Sequence, residues 1–126
     1  QPAGGVAYVG SFLWETDTPA FVFNSAENGV TESASHEAGH TLGLNHDGDS
    51  STAYHSGHGS GSTSWGPIMG APYGRVLTQW SKGEYLNANN SEDDLAIIAA
   101  NNGFGYRADD YGDDFASAET LIAPIS

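Results

Sequence analysis

The stretch SASHEAGHTLGLNHDG, residues 33–48, holds three of the chain's five histidines within eleven positions: His36, His40 and His46, with Glu37 directly after the first. An α-helix turns about 100° and rises about 1.5 Å per residue, so His36 and His40 lie one turn apart on one face. Ala34, Ala38 and Leu42 recur at helical spacing and predict an apolar face for a helix over 31–42, capped by Thr31 or Ser33. Gly43 stands where a left-handed residue ends such a helix, and a sharp turn there brings His46 back towards the other two. Two imidazoles at that spacing can grip one metal ion at about 2.0–2.1 Å, and a third leaves one tetrahedral position open, as in a catalytic rather than a structural zinc site. Glu37 projects away from the first ligand and can reach a water at the open position without binding the metal. The chemistry expected is hydrolysis of a peptide bond by metal-assisted attack of water, with Glu37 as the general base. Solvent-facing helix histidines beside an acid are the plain alternative, but the full spacing His36-Glu37-x-x-His40-x-x-Gly43-x-x-His46 fixes too many positions for it.

Composition narrows the classes further. A chain of 126 residues is at most one domain. Three basic residues against sixteen acidic ones give a formal charge of −13, which argues against nucleic acid and anionic membranes as partners. There is no cysteine, hence neither a disulfide framework nor a thiolate metal site. No apolar run approaches the roughly 18 residues of a membrane span.

Residues 4–13, GGVAYVGSFL, read as a strand, and PAFVFNS, 19–25, as a second one, with an acidic loop between. Residues 47–65 are a long loop of Gly, Ser, Thr, His and Asp, a length that points to function or disorder. WGPIMGAPYG is a tight-turn region around Met69. Ser91 with Asp94 reads as a capping pair for a helix in EDDLAIIAANN, closed by Gly103. The tail, 108–126, is an acidic linker or domain edge, leaving 1–107 as the domain.

HEAGHTLGLNHD resembles the zinc-binding consensus of the metzincin metallopeptidases, and Asp47 after the third histidine is similar to the adamalysin/reprolysin branch. The resemblance runs over about 4–107 and includes bacterial reprolysin-like secreted peptidases. It implies an α+β metzincin-like catalytic domain: a small mixed sheet with an edge strand for substrate, an active-site helix, a Met-turn and a C-terminal helix. It implies one catalytic Zn2+ held by His36, His40 and His46, catalysis by Glu37, a peptide or protein substrate, and a secreted location. Met69 in PIMGAPYG would form the Met-turn, an apolar floor under the zinc, and GVAYVGSF the edge strand to which an extended peptide adds. Asp47 would be the buried carboxylate tying the zinc motif to the base of the domain. Tyr73 follows Met69 by four residues, and with Pro72 it is placed in the wall of a specificity pocket. His55 and His58 are expected to be ordinary loop histidines rather than a second metal site. The acids of ADDYGDD lack the EF-hand pattern, so Ca2+ has no motif to support it.

Two departures bear on the reading. The disulfides usual in adamalysins are missing, which points to a microbial member. Only 35 residues precede His36, against roughly a hundred in most of the family, so the domain is either compact or lacks its N-terminal part. Two strands before the helix are marginal alone, which favours truncation. The alternative functions are a zinc-binding fragment with an incomplete groove, or a structural module of a larger acidic extracellular protein.

Overall fold

A computed structural model describes residues 4–108, 112, 114 and 116–118. The acidic segment assigned to 108–126 lies largely outside the described residues. The architecture is α+β. Strand β1 (Gly5–Val6) pairs antiparallel with β2 (Phe21–Val22), and helix α1 (Glu27–Thr41) follows. Strand β3 (Trp65–Pro67) pairs in parallel with β4 (Leu77–Gln79), and helix α2 is Asp94–Asn101. The one small mixed sheet expected from the sequence is thus two separate strand pairs.

The first strand is much shorter than residues 4–13. Gly10 adopts a left-handed φ of 74°, and its N–H donates to His40 O at 2.8 Å. Ser11–Leu13 then close a 3₁₀ turn. The segment leaves the sheet to tie down the end of α1, so its apolar residues do not continue the ladder.

Helix α1 begins before the expected residue 31. Thr31 and Ser33 cap nothing: Thr31 Oγ1 donates back to Glu27 O at 3.1 Å, and Ser33 is engaged by Asn24 and Tyr73. Ala26 is the N-cap without a side-chain bond, and Glu27 supplies negative charge at the positive end of the helix. The apolar face also differs from expectation. Ala34 and Ala38 are exposed, while Ser33, Glu37, Gly39 and His40 are buried. Ser33, Glu37 and His40 make this stripe polar because they line the cleft described below, while Gly39 packs on Met69.

The end of α1 is a Schellman motif. Gly43 N–H donates to His40 O at 2.9 Å, Leu44 N–H to Gly39 O at 3.0 Å, and Gly43 has a φ of 104°. Leu44, the residue after the glycine, is completely buried. Asn102 Nδ2 donates to Leu42 O at 2.9 Å, so the end of α2 holds this turn in place.

Helix α2 is capped by Asp93 and not by the Ser91–Asp94 pair. Asp93 accepts from Ala96 N at 3.0 Å. Asp94 is fully buried and accepts from Ser81 N at 2.9 Å, while Ser81 Oγ donates to the buried Asp47 at 2.9 Å. Burial, reinforced by Asp47, pushes the Asp94 carboxyl up to about 7 against the opposing bond from Ser81. A carboxyl raised in this way contributes stability below its ordinary value of 3.8 and loses it as pH climbs towards 7. Asp94→Asn should therefore gain stability relative to the parent between pH 4 and 7, with the difference levelling above. Paired urea titrations across that range measure it, and a pH-independent difference would remove Asp94 as the cause.

Candidate metal centre

Helix pitch and the Schellman turn together bring the three histidines to one place. The ring centroids of His36 and His40 lie 4.8 Å apart, those of His36 and His46 5.2 Å, and those of His40 and His46 4.7 Å. One potential ligand atom from each falls within 4.8 Å of the others, and among the described residues no other group of three or more His or acidic side chains does so.

Backbone carbonyls orient two of the rings. His36 Nδ1 donates to Ile68 O at 2.9 Å, and His40 Nδ1 to Leu44 O at 2.8 Å. With the protons on Nδ1, both rings present an Nε2 lone pair, the arrangement that outer partners impose on metal-binding histidines. His40 Nε2 lies 2.9 Å from His46 Nε2. Burial pushes the His36 imidazole down to about 4, helped by His40 and His46, and it lowers His46 as well, again with His40 contributing. Neutral imidazole is the form that binds a metal.

His46 is fixed by its flanks. Asn45 is held at both its backbone N–H (3.0 Å) and its side chain (2.6 Å) by Glu92, and Asn90 Nδ2 reaches His46 O at 3.3 Å. Asp47 N–H donates to Met69 O at 2.9 Å, and its carboxylate lies inside with Ser81. The expectation of a buried carboxylate just after the third histidine matches this geometry.

Glu37 is buried on the same helix face, and among the described residues its Oε2 has no hydrogen-bond partner. Burial raises its carboxyl, partly offset by His40. A buried carboxylate oxygen with no partner is costly, and a water or ion in front of it is the ordinary remedy. Three neutral imidazoles with this orphaned oxygen at their side fit a divalent metal of the zinc type.

All four residues line one open cleft of about 710 Å³. Strand β1 forms a rim, and it must be glycine where it passes Glu37: a Cβ on Gly5 would come 2.6 Å from Glu37 Cγ. Gly39 is required on the other side of the helix, because a Cβ there would collide with the sulfur of Met69. Met69 is completely buried in the turn after β3, packed beneath α1.

Tyr73 lines the cleft as expected, but Pro72 does not. Pro72 is buried against Gly66, where it packs the turn. His55 and His58 stay outside the cleft. His55 donates through Nδ1 to Asp49 at 3.1 Å and stacks on Tyr85 with centroids 4.2 Å apart. Two polar side chains of the cleft escaped the sequence reading. The Tyr54 ring lies 4.3 Å from that of His46, and Asn24 reaches Ser33 from the loop before α1. An aromatic residue within the small polar residues of 48–63 was the available signal for Tyr54.

No curated protein and no solved structure matches the chain. The sequence profile described as metallo-peptidase family M12 matches residues 1–81. That span is more than half of the sequence and contains all three histidines, Glu37 and Met69, and it shows that the chain belongs to the metallo-peptidase family M12.

Proposed function

We propose that the chain is a zinc-dependent endopeptidase domain that hydrolyses peptide bonds, with His36, His40 and His46 as the metal ligands and Glu37 as the general base. The observation that carries this reading is the convergence of three oriented imidazoles and a buried, unpartnered carboxylate oxygen in one open cleft. M12 peptidases are zinc-dependent and act on peptides or proteins. Bound zinc would supply Lewis acidity, polarising the scissile carbonyl and making water easier to deprotonate. Glu37 takes the proton of the attacking water and then delivers it to the nitrogen of the leaving amine as the C–N bond breaks. Its raised affinity for a proton suits both transfers. We further place the chain in the reprolysin-like branch of secreted peptidases, with Met69 as its Met-turn, on the strength of Asp47 and the Ile68-Met69-Gly70 turn.

A second reading has one observation in its favour. Strands β1 and β2 are two residues each, with Val6 and Phe21 about half exposed, so the rim of the groove is slight. Under it the chain holds zinc without cleaving. A quenched mixed-peptide substrate separates the two: the zinc-loaded chain should cleave it, a chelator should stop cleavage, and added zinc should restore it. Stoichiometric zinc without cleavage would instead support the second reading.

A further inference from the structure

The cleft does not end at the histidines. One helical turn before His36 it is walled by Asn24, Ser33 and Tyr73, which come from three separate segments. Asn24 Nδ2 donates to Ser33 Oγ at 2.5 Å and to Gly29 O at 3.1 Å. Ser33 Oγ and Tyr73 OH lie 3.0 Å apart and share a single hydrogen bond. Gly4, the residue before β1, lies against this group: a Cβ there would sit 2.6 Å from Ser33 Oγ and 2.7 Å from Tyr73 OH.

Counting protons shows what the group has left over. Both N–H bonds of the Asn24 amide are spent, one on Gly29 O and the other on Ser33 Oγ, with Tyr73 OH a longer 3.4 Å from the same nitrogen. Ser33 and Tyr73 bring two hydroxyl protons, and their mutual bond uses one. Gly29 O already takes the Asn24 amide as well as the helical N–H of Ser33, and is not bonded to Ser33 Oγ. One O–H therefore remains to be given to whatever enters the cleft. Among the described residues Asn24 Oδ1 accepts no hydrogen bond, so one acceptor is also open. Glu37, in the same cleft, and a formal charge of −13 both disfavour a carboxylate as the occupant.

Resting on the peptidase reading of the same cleft, we propose that Asn24, Ser33 and Tyr73 form a specificity subsite for an uncharged carboxamide side chain, Gln or Asn, next to the scissile bond. The carboxamide oxygen accepts the spare hydroxyl proton, and its N–H donates to Asn24 Oδ1. Sites that hydrogen-bond a substrate side chain reject the apolar analogue because their own groups are then left unpaired.

The test uses the zinc-loaded full chain and three amino-acid hydroxamates, glutaminyl, leucyl and glutamyl, with Kd read by calorimetry. The glutaminyl compound should bind about tenfold more tightly than the leucyl one. Tyr73→Phe should bring that ratio to within about twofold, the change expected when one hydrogen bond is lost, with zinc stoichiometry unaltered. Tyr73 is half exposed, so the variant threatens the fold little. Leucyl binding equal to or tighter than glutaminyl, a glutamyl preference, no binding of any compound, or a ratio unmoved by Tyr73→Phe would each overturn the subsite. The ratio needs no turnover. A chain that shows it and cleaves nothing sinks the peptidase reading alone, whereas cleavage without it sinks the subsite alone.

Discussion

Glu37→Ala should retain bound zinc and lower peptide hydrolysis by roughly 10²–10⁴, the usual contribution of a positioned general base. The two halves of this result come from different atoms. The proposed ligand set is three imidazoles, two of them oriented by the carbonyls of Ile68 and Leu44, and among the described residues none is hydrogen-bonded to Glu37. The metal should therefore be indifferent to the loss. Catalysis should not be, because among the cleft-lining residues Glu37 is the one carboxylate, and its Oε2 has no bond to break before taking a proton. The same orphaned oxygen gives a second, opposite signature. Removing a buried carboxyl without a partner relieves an unfavourable term, so Glu37→Ala should unfold at an equal or higher urea concentration than the parent in chelator. Loss of activity without loss of stability marks a group retained for chemistry. Rates from a quenched peptide, zinc stoichiometry and the urea midpoint decide the matter together. Parent-level hydrolysis would remove Glu37 from the mechanism.

How far the sequence could be read depended on how far apart the interacting residues lie in it. The histidine cluster was legible because helix pitch relates His36 to His40 and a single glycine relates both to His46. All of that lies within one window of eleven residues. Gly43 and Gly103 were legible for the same reason, since a left-handed φ is a local demand. Ser33 was misread as a cap because its partner Tyr73 is 40 residues away, and no local period announces such a pair. Ser91 and Asp94 were misread likewise: Asp94 is drawn inside by Ser81, and Asp93 is left to cap α2. The most instructive failure is the face of α1. Periodicity assigned the interior to Ala34, Ala38 and Leu42, yet Ser33, Glu37 and His40 occupy it. Hydrophobic patterning assumes that the buried face is there for packing, and it misplaces a helix whose buried face carries the site. What apolar core remains among the described residues is small, chiefly Leu44, Met69 and Ala99. Leu44 and Met69 lie beneath the histidine cluster, where the Schellman turn and the Met69 turn meet α1.

His40→Ala should remove zinc binding and hydrolysis together, and the reason is its place within the triad. His40 is the most buried of the three proposed ligands, sits between both of the others, and faces His46 Nε2 directly at 2.9 Å. Losing an outer-shell partner of a metal ligand typically costs about 10–100-fold in affinity, and losing the central ligand itself should cost more than that. The fold contributes as well. Leu44 O loses the N–H that reaches it at 2.8 Å, and it belongs to the buried residue that closes the Schellman turn. That turn is what returns His46 to the site, so the variant weakens a second ligand while deleting the first. Competition with a chromophoric chelator measures the affinity, and the rise in Tm on adding zinc measures it independently, since a ligand stabilises only what it binds. The parent and Glu37→Ala should both show that rise, and His40→Ala should not. A His40→Ala chain with parent-level zinc affinity would mean that the metal lies elsewhere. The three-histidine assignment would fall, even with hydrolysis lost.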